Sequence, residues 1–137
     1  MPNEYRLALI VGLVALAGVF GAVWRLRNGR IKAVAAGTKV DLSDFGITKL
    51  DRRVTFLQFS SETCSACKQT ARVFQELQAT SDDTGHIEFD ITNRLDLAKK
   101  YKILQTPTTL VLDSDGRVLS RIAGAPRPNT FTGDFEI

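Results

Sequence analysis

Between Arg6 and Arg25 the chain carries no charged side chain. The run Leu7–Trp24, LALIVGLVALAGVFGAVW, has no polar face, so it cannot serve as an ordinary surface helix. As a helix its 18 residues span about 27 Å, close to the thickness of a hydrocarbon core. Tyr5 and Trp24 stand where interfacial aromatics belong, and Arg6 and Arg25 can reach outward to headgroups. The expectation is a membrane anchor over residues 1–27. A cleaved signal peptide is the alternative, with Ala33-Val34-Ala35 resembling a cleavage tripeptide. The basic residues Arg25, Arg27, Arg30 and Lys32 lie between the apolar core and that site, where small neutral residues are expected. The same basic cluster favours the cytoplasm for the C-terminal side, with an extracytoplasmic domain as the alternative.

The anchor leaves about 110 of the 137 residues, enough for one small domain and no more. Charge divides the same way. The first 37 residues carry Arg6, Arg25, Arg27, Arg30 and Lys32 against Glu4, a net of +4. Residues 38–137 carry 13 basic and 14 acidic side chains, a net of −1, so the remainder has no electrostatic basis for binding nucleic acid. Residues 28–37 read as a linker, punctuated by Asn28-Gly29 and Gly37.

Within the domain, Thr38–Val40 suggests a short strand and Ser43-Asp44-Phe45-Gly46 a helical turn. Val54–Phe59 is β-branched and aromatic, which predicts a buried strand. Residues 64–79 change to helical period, with Ala66, Ala71, Val73, Phe74 and Leu77 opposed to Lys68, Arg72 and Glu76. His86–Ile91 alternates in strand fashion, and Asn93 is placed to cap a short helix ending near Tyr101. Thr108–Asp113 predicts a strand, Ser114-Asp115-Gly116 a turn, and Arg117–Ala123 a returning strand. Strand, helix, strand, helix and hairpin imply an α/β domain with a mixed sheet flanked by helices. The prolines and threonines of Arg127–Ile137 make a long closing helix improbable.

Both cysteines fall in Cys64-Ser65-Ala66-Cys67, between a predicted strand and a predicted helix. A thiolate there faces the unpaired N–H groups and positive dipole end of the helix. Cys67, one turn on, is within disulfide reach. Cys64 is thus the candidate nucleophile and Cys67 the resolving thiol. Other readings of the pair are a metal site, for which only His86 offers an additional soft ligand, a structural disulfide, and two reduced core cysteines.

Residues 54–124 resemble the thioredoxin superfamily. Phe59 to Lys68 looks like its active-site segment, Thr106-Pro107-Thr108 like its cis-proline loop, and Gly124 like its customary glycine after the last strand. The overall plan is similar to membrane-anchored bacterial thioredoxin-like proteins. The resemblance implies a thioredoxin-like domain over 38–137 and a membrane-tethered thiol–disulfide oxidoreductase acting on protein substrates, as a reductant. It implies no organic or metal cofactor and an unidentified electron donor or acceptor. It also implies that Thr106 and Pro107 shape the substrate groove, with the Thr106 backbone pairing to an extended segment. The alternatives are a docking module or redox sensor for a membrane partner, without turnover, and a metallochaperone.

Three positions depart from the family pattern. Thr63 stands where Trp usually precedes the first cysteine, Ser65-Ala66 where Gly-Pro is usual, and Gln58 where a buried Asp is usual. Gln58 cannot titrate, so the proton of Cys67 needs another acceptor. Glu88 lies on the strand face opposite Ile87, Phe89 and Ile91, and by resemblance faces Cys67 from below. It is the candidate general base, acting through a water held by Gln58. His86 reads as a solvent-edge residue, and Lys68, Arg72 and the Lys99-Lys100-Lys102 group as surface charge.

Overall fold

The computed structural model describes residues 2–28, 31–34 and 37–127. Helix α1 (Asn3–Arg27) buries none of its residues, as expected of a segment whose apolar surface is continuous all round. Strands β1 (Ile31–Ala33), β2 (Val54–Ser60), β3 (Thr84–Asp90), β4 (Thr108–Asp113) and β5 (Val118–Ala123) form one sheet in the order β1-β5-β4-β2-β3. Helix α2 (Ser65–Thr80) connects β2 to its parallel neighbour β3, and the short α3 (Leu95–Lys100) leads from β3 toward β4. The other pairings are antiparallel.

Strand β2 lies between β4 and β3 and is buried along its whole length. Its alternate residues therefore serve two cores. Leu57 and Phe59 pack with Leu110, Leu112, Ile91 and Ile103 on the side of α3. Phe45, from the 3-10 turn Leu42–Phe45, completes that layer edge-on to Phe59 and Phe89. Phe56 turns the other way and stacks on Phe74 of α2, with Val111 and Ile122 alongside.

The strands expected over Val54–Phe59, Thr108–Asp113 and Arg117–Ala123 are present within a residue at each end, and the alternating run near His86 begins at Thr84. Three local expectations are corrected. Thr38–Val40 contributes only a bridge from Lys39 to Arg117, whereas Ile31–Ala33, inside the expected linker 28–37, is a true strand on β5. Three residues are too few to carry a readable period. Asn93 does not cap α3. Arg94 stands at that position without a side-chain cap, because a guanidinium has no acceptor for the helix N–H groups and donates to Asp96 instead, while Asp90 closes the preceding turn by accepting from Thr92. His86 is half-buried rather than a solvent-edge residue, since α2 lies over β3 and sets Phe74 against its ring. The expectation for Arg127–Ile137 falls, beyond Arg127, outside the described residues.

Candidate active site

The end of β2 delivers the chain to the start of α2, and the reactive pair sits at that junction. Cys64 is the N-terminal cap of α2, and its sulfur accepts the N–H of Cys67 at 3.1 Å. The two cysteines are joined in a disulfide with their Cα atoms 5.2 Å apart. Their environments differ. Cys64 is partly exposed, whereas Cys67 is 2% exposed beneath the first turn of the helix. A thiolate on Cys64 in the reduced form meets both this donor and the positive end of a 16-residue helix. Lys68 and Arg72 lie on the exposed face of α2, as expected.

Beside the segment that leads into the pair, the Thr106–Pro107 peptide bond is cis. Pro107 is buried, and its carbonyl accepts the N–H of Gly124 at 2.8 Å. Gly124 holds a φ of +81°, a region that favours glycine, which accounts for that residue where β5 ends. Thr106 Oγ1 lies 3.2 Å from Ser61 Oγ, a link between the proline loop and the segment before Cys64 that sequence reasoning missed. A cleft of about 1220 Å³ opens here, with Ala66, Thr106, Pro107 and Gly124 on one wall. Trp24, Arg25 and Leu26 from the end of α1 form the other. Arg127 ties the walls together by donating to the carbonyl of Leu26 at 2.8 Å.

Beneath the pair, Gln58 is fully buried, at the position where the resemblance implied a carboxylate. Its amide N–H groups donate to the Cys67 carbonyl at 2.9 Å and to Ser60 Oγ at 3.1 Å. Its oxygen lies 2.9 Å from His86 Nε2, so the imidazole donates to it. Burial holds the His86 pKa below its ordinary 6.5. His86 is therefore the titratable group coupled to this network, and the only sequence signal for it was its parity with Gln58 across the two strands. Glu88 pairs in register with Gln58 and lies on the α2 side of the sheet as expected. It is exposed, however, and burial was the reason to expect a proton acceptor there. Gln58 directs its hydrogen bonds to Cys67, Ser60 and His86, not to Glu88. Among the described residues no group of three or more His, Cys, Asp or Glu is placed to hold a metal ion.

Residues 43–135 match the family model for a thioredoxin-like domain. The thioredoxin of Staphylococcus epidermidis is 31% identical over 93 residues, which cover 66% of this chain and 88% of that protein. That of Staphylococcus aureus is 30% identical over the same shares. The chain belongs to the thioredoxin-like family. Solved structures agree on the fold. A mutant thioredoxin from Halobacterium salinarum superposes with a TM-score of 0.53 at 20% identity, over 66% of this chain and 77% of its own. Oxidized mitochondrial thioredoxin 3 from Saccharomyces cerevisiae gives 0.51 at 24%, over 64% and 83%. With its CxxC pair at disulfide distance, this thioredoxin-like protein is a thiol–disulfide oxidoreductase.

Proposed function

We propose that the protein is a membrane-tethered reductant of protein disulfides. In this reading residues 1–27 anchor it, 28–30 connect, and the thioredoxin-like domain, whose sheet begins at Ile31, carries the chemistry on the cytoplasmic side. The observation that carries the reading is the asymmetric pair: a partly exposed Cys64 capping α2 and a buried Cys67, joined in a disulfide. The tether is supported by α1, which among the described residues is the one helix long and apolar enough to cross a membrane. The orientation is supported by the basic residues that follow it.

In the reduced enzyme, the Cys64 thiolate attacks one sulfur of a substrate disulfide. A mixed disulfide forms and the other substrate sulfur leaves as a thiolate. Thr106 and Pro107 hold the substrate segment extended, with the Thr106 backbone offering strand-like hydrogen bonds. Cys67 then loses its proton, for which Glu88, exposed on the α2 side of the sheet, is the proposed acceptor, and attacks the Cys64 sulfur. The second substrate thiolate departs and the Cys64–Cys67 disulfide remains. Two electrons have passed to the substrate, and a dithiol donor restores the pair by the reverse exchange. The electrons reside in the two sulfurs, so the cycle uses no organic cofactor, metal or nucleic acid.

The test removes the resolving thiol. Cys67→Ala in cells should accumulate mixed disulfides on Cys64 that dithiothreitol releases, and the Cys64→Ser/Cys67→Ala double variant should accumulate none. Absence of adducts on Cys67→Ala would overturn the assignment of the two roles.

A further inference from the structure

We propose that the cleft between α1 and the loop 102–105 is a binding site for an anionic phospholipid, with Leu104 entering the bilayer interface beside it. The inference rests on the membrane-spanning reading of α1 and adds a ligand and a second membrane contact to it.

Leu104 is 95% exposed, yet its loop is held on every side. Ile103, the residue before it, is buried, and its N–H donates to the Ala98 carbonyl at 2.7 Å. Arg121 donates to the carbonyls of Tyr101 and Lys102, at 2.7 and 3.0 Å. Pro107 is buried three positions further on. A leucine presented by so fixed a loop is not a frayed end. One exposed leucine alone needs no explanation. Its surroundings supply one.

The cleft it lines, of about 540 Å³, has Phe20, Val23 and Trp24 of α1 as its opposite wall. These residues share one helical face at spacings of three and four. Phe20 lies about 6 Å along the axis from Trp24, toward the middle of the apolar run. Leu104 thus stands beside residues that already belong to the span, between the headgroup level and the upper acyl chains.

The same cleft is lined by Arg27, Lys32 and Lys102, and by Arg121, whose guanidinium is held by the carbonyls of Tyr101 and Lys102. Among the described residues, none of Arg27, Lys32 and Lys102 has an acidic partner and no carboxylate lines the cleft. Apolar side chains and cations without acidic partners lining one cleft match the two ends of an anionic lipid, acyl chain and phosphate. Because Leu104 precedes cis Pro107 by three positions, this seat also holds the substrate-facing loop at the membrane surface.

The chain has one tryptophan, Trp24, which makes the test direct. Full-length protein is reconstituted in vesicles of phosphatidylcholine and phosphatidylglycerol, each in turn brominated at a shallow acyl carbon. Trp24 fluorescence should be quenched by both, with a relative binding constant about fivefold in favour of phosphatidylglycerol. Lys32→Glu combined with Lys102→Glu, two exposed positions, should bring that ratio to about one. In the Trp24→Phe/Leu104→Trp variant the introduced indole should also be quenched and emit to the blue of a water-exposed indole. Quenching of Trp24 without quenching of the introduced indole overturns the Leu104 contact and leaves the anchor standing. Equal affinity for the two lipids, or a preference that survives charge reversal, overturns the lipid site. A Trp24 that no brominated lipid quenches fails the membrane-spanning reading first, and this inference with it.

Discussion

The two faces of the sheet are built from the same strands on opposite principles. Toward α3, β2 and β4 present Leu57, Phe59, Leu110 and Leu112 to an aromatic layer of Phe45, Phe89 and Tyr101. Toward α2, the same strands present Phe56 and Val111, but also Gln58, Ser60 and Thr109, all buried, beneath a buried Thr70. Burying polar groups costs free energy unless each is hydrogen-bonded. Gln58 meets that condition through Cys67, Ser60 and His86. Most of the buried polar groups lie on the side that carries the cysteines, with Thr55 and Thr108 on the other, so one face mainly supplies stability and the other sets the conditions of the chemistry.

Substitutions that separate rate from stability put this contrast to the strongest test. Cys64→Ser should reduce disulfide-reductase turnover by at least about 10³-fold. It should leave the unfolding free energy within about 0.5 kcal/mol of the reduced wild type. Phe59→Ala, on the apolar face, should do the reverse. It should cost about 3–5 kcal/mol in urea unfolding, with the alkylation rate of Cys64 unchanged in the molecules that remain folded. Loss of turnover from Phe59→Ala at full stability would break the contrast.

Smaller effects sharpen it. Glu88→Gln should slow resolution of the mixed disulfide by about 10²-fold and leave the first attack by Cys64 unchanged, read by single-turnover kinetics of both steps. An unaltered second step would remove Glu88 from the reaction. His86 is the chain's single histidine, and its folded pKa lies below 6.5 because it is buried. As the pH falls past about 6.5, the unfolded chain takes up that proton before the folded one. Stability is therefore complete above 6.5, declines below it, and stops declining on this account once the folded state is protonated too. Urea midpoints between pH 7.5 and 5.5 should show the decline, and His86→Gln should flatten it. The smallest effect concerns Thr109, whose buried hydroxyl has no hydrogen-bond partner among the described residues. Thr109→Val should stabilise the reduced protein by about 1 kcal/mol, where a buried threonine on the apolar face with a partnered hydroxyl, Thr108, should lose stability on the same change.

Legibility in the sequence followed the same division. β2, β4 and α2 were readable because a continuous apolar run or a clean helical period marks them, and the cysteine pair because its spacing coincides with a strand-to-helix boundary. β1 was not readable, because a three-residue edge strand is selected by its partner β5 rather than by its own composition. His86 was misread for a related reason. Its burial comes from Phe74, 12 positions away in another element, and its hydrogen bond from Gln58, 28 positions away. The orientation of Gln58 toward the Cys67 carbonyl is likewise a tertiary fact that parity along one strand cannot reveal.

The pairing of β1 with β5 fixes the length of the leash. Only residues 28–30 lie between the end of α1 and the first residue locked into the sheet. Three residues, even fully drawn out, reach about 10 Å. For the tethered molecule proposed above, Cys64 cannot patrol a volume of solvent. It sweeps a thin layer over the membrane, moving as fast as its anchor diffuses sideways. Encounter with a disulfide would then be governed by how many partners occupy each unit of membrane area, and diluting the surrounding solution would leave the rate for a membrane-borne partner untouched.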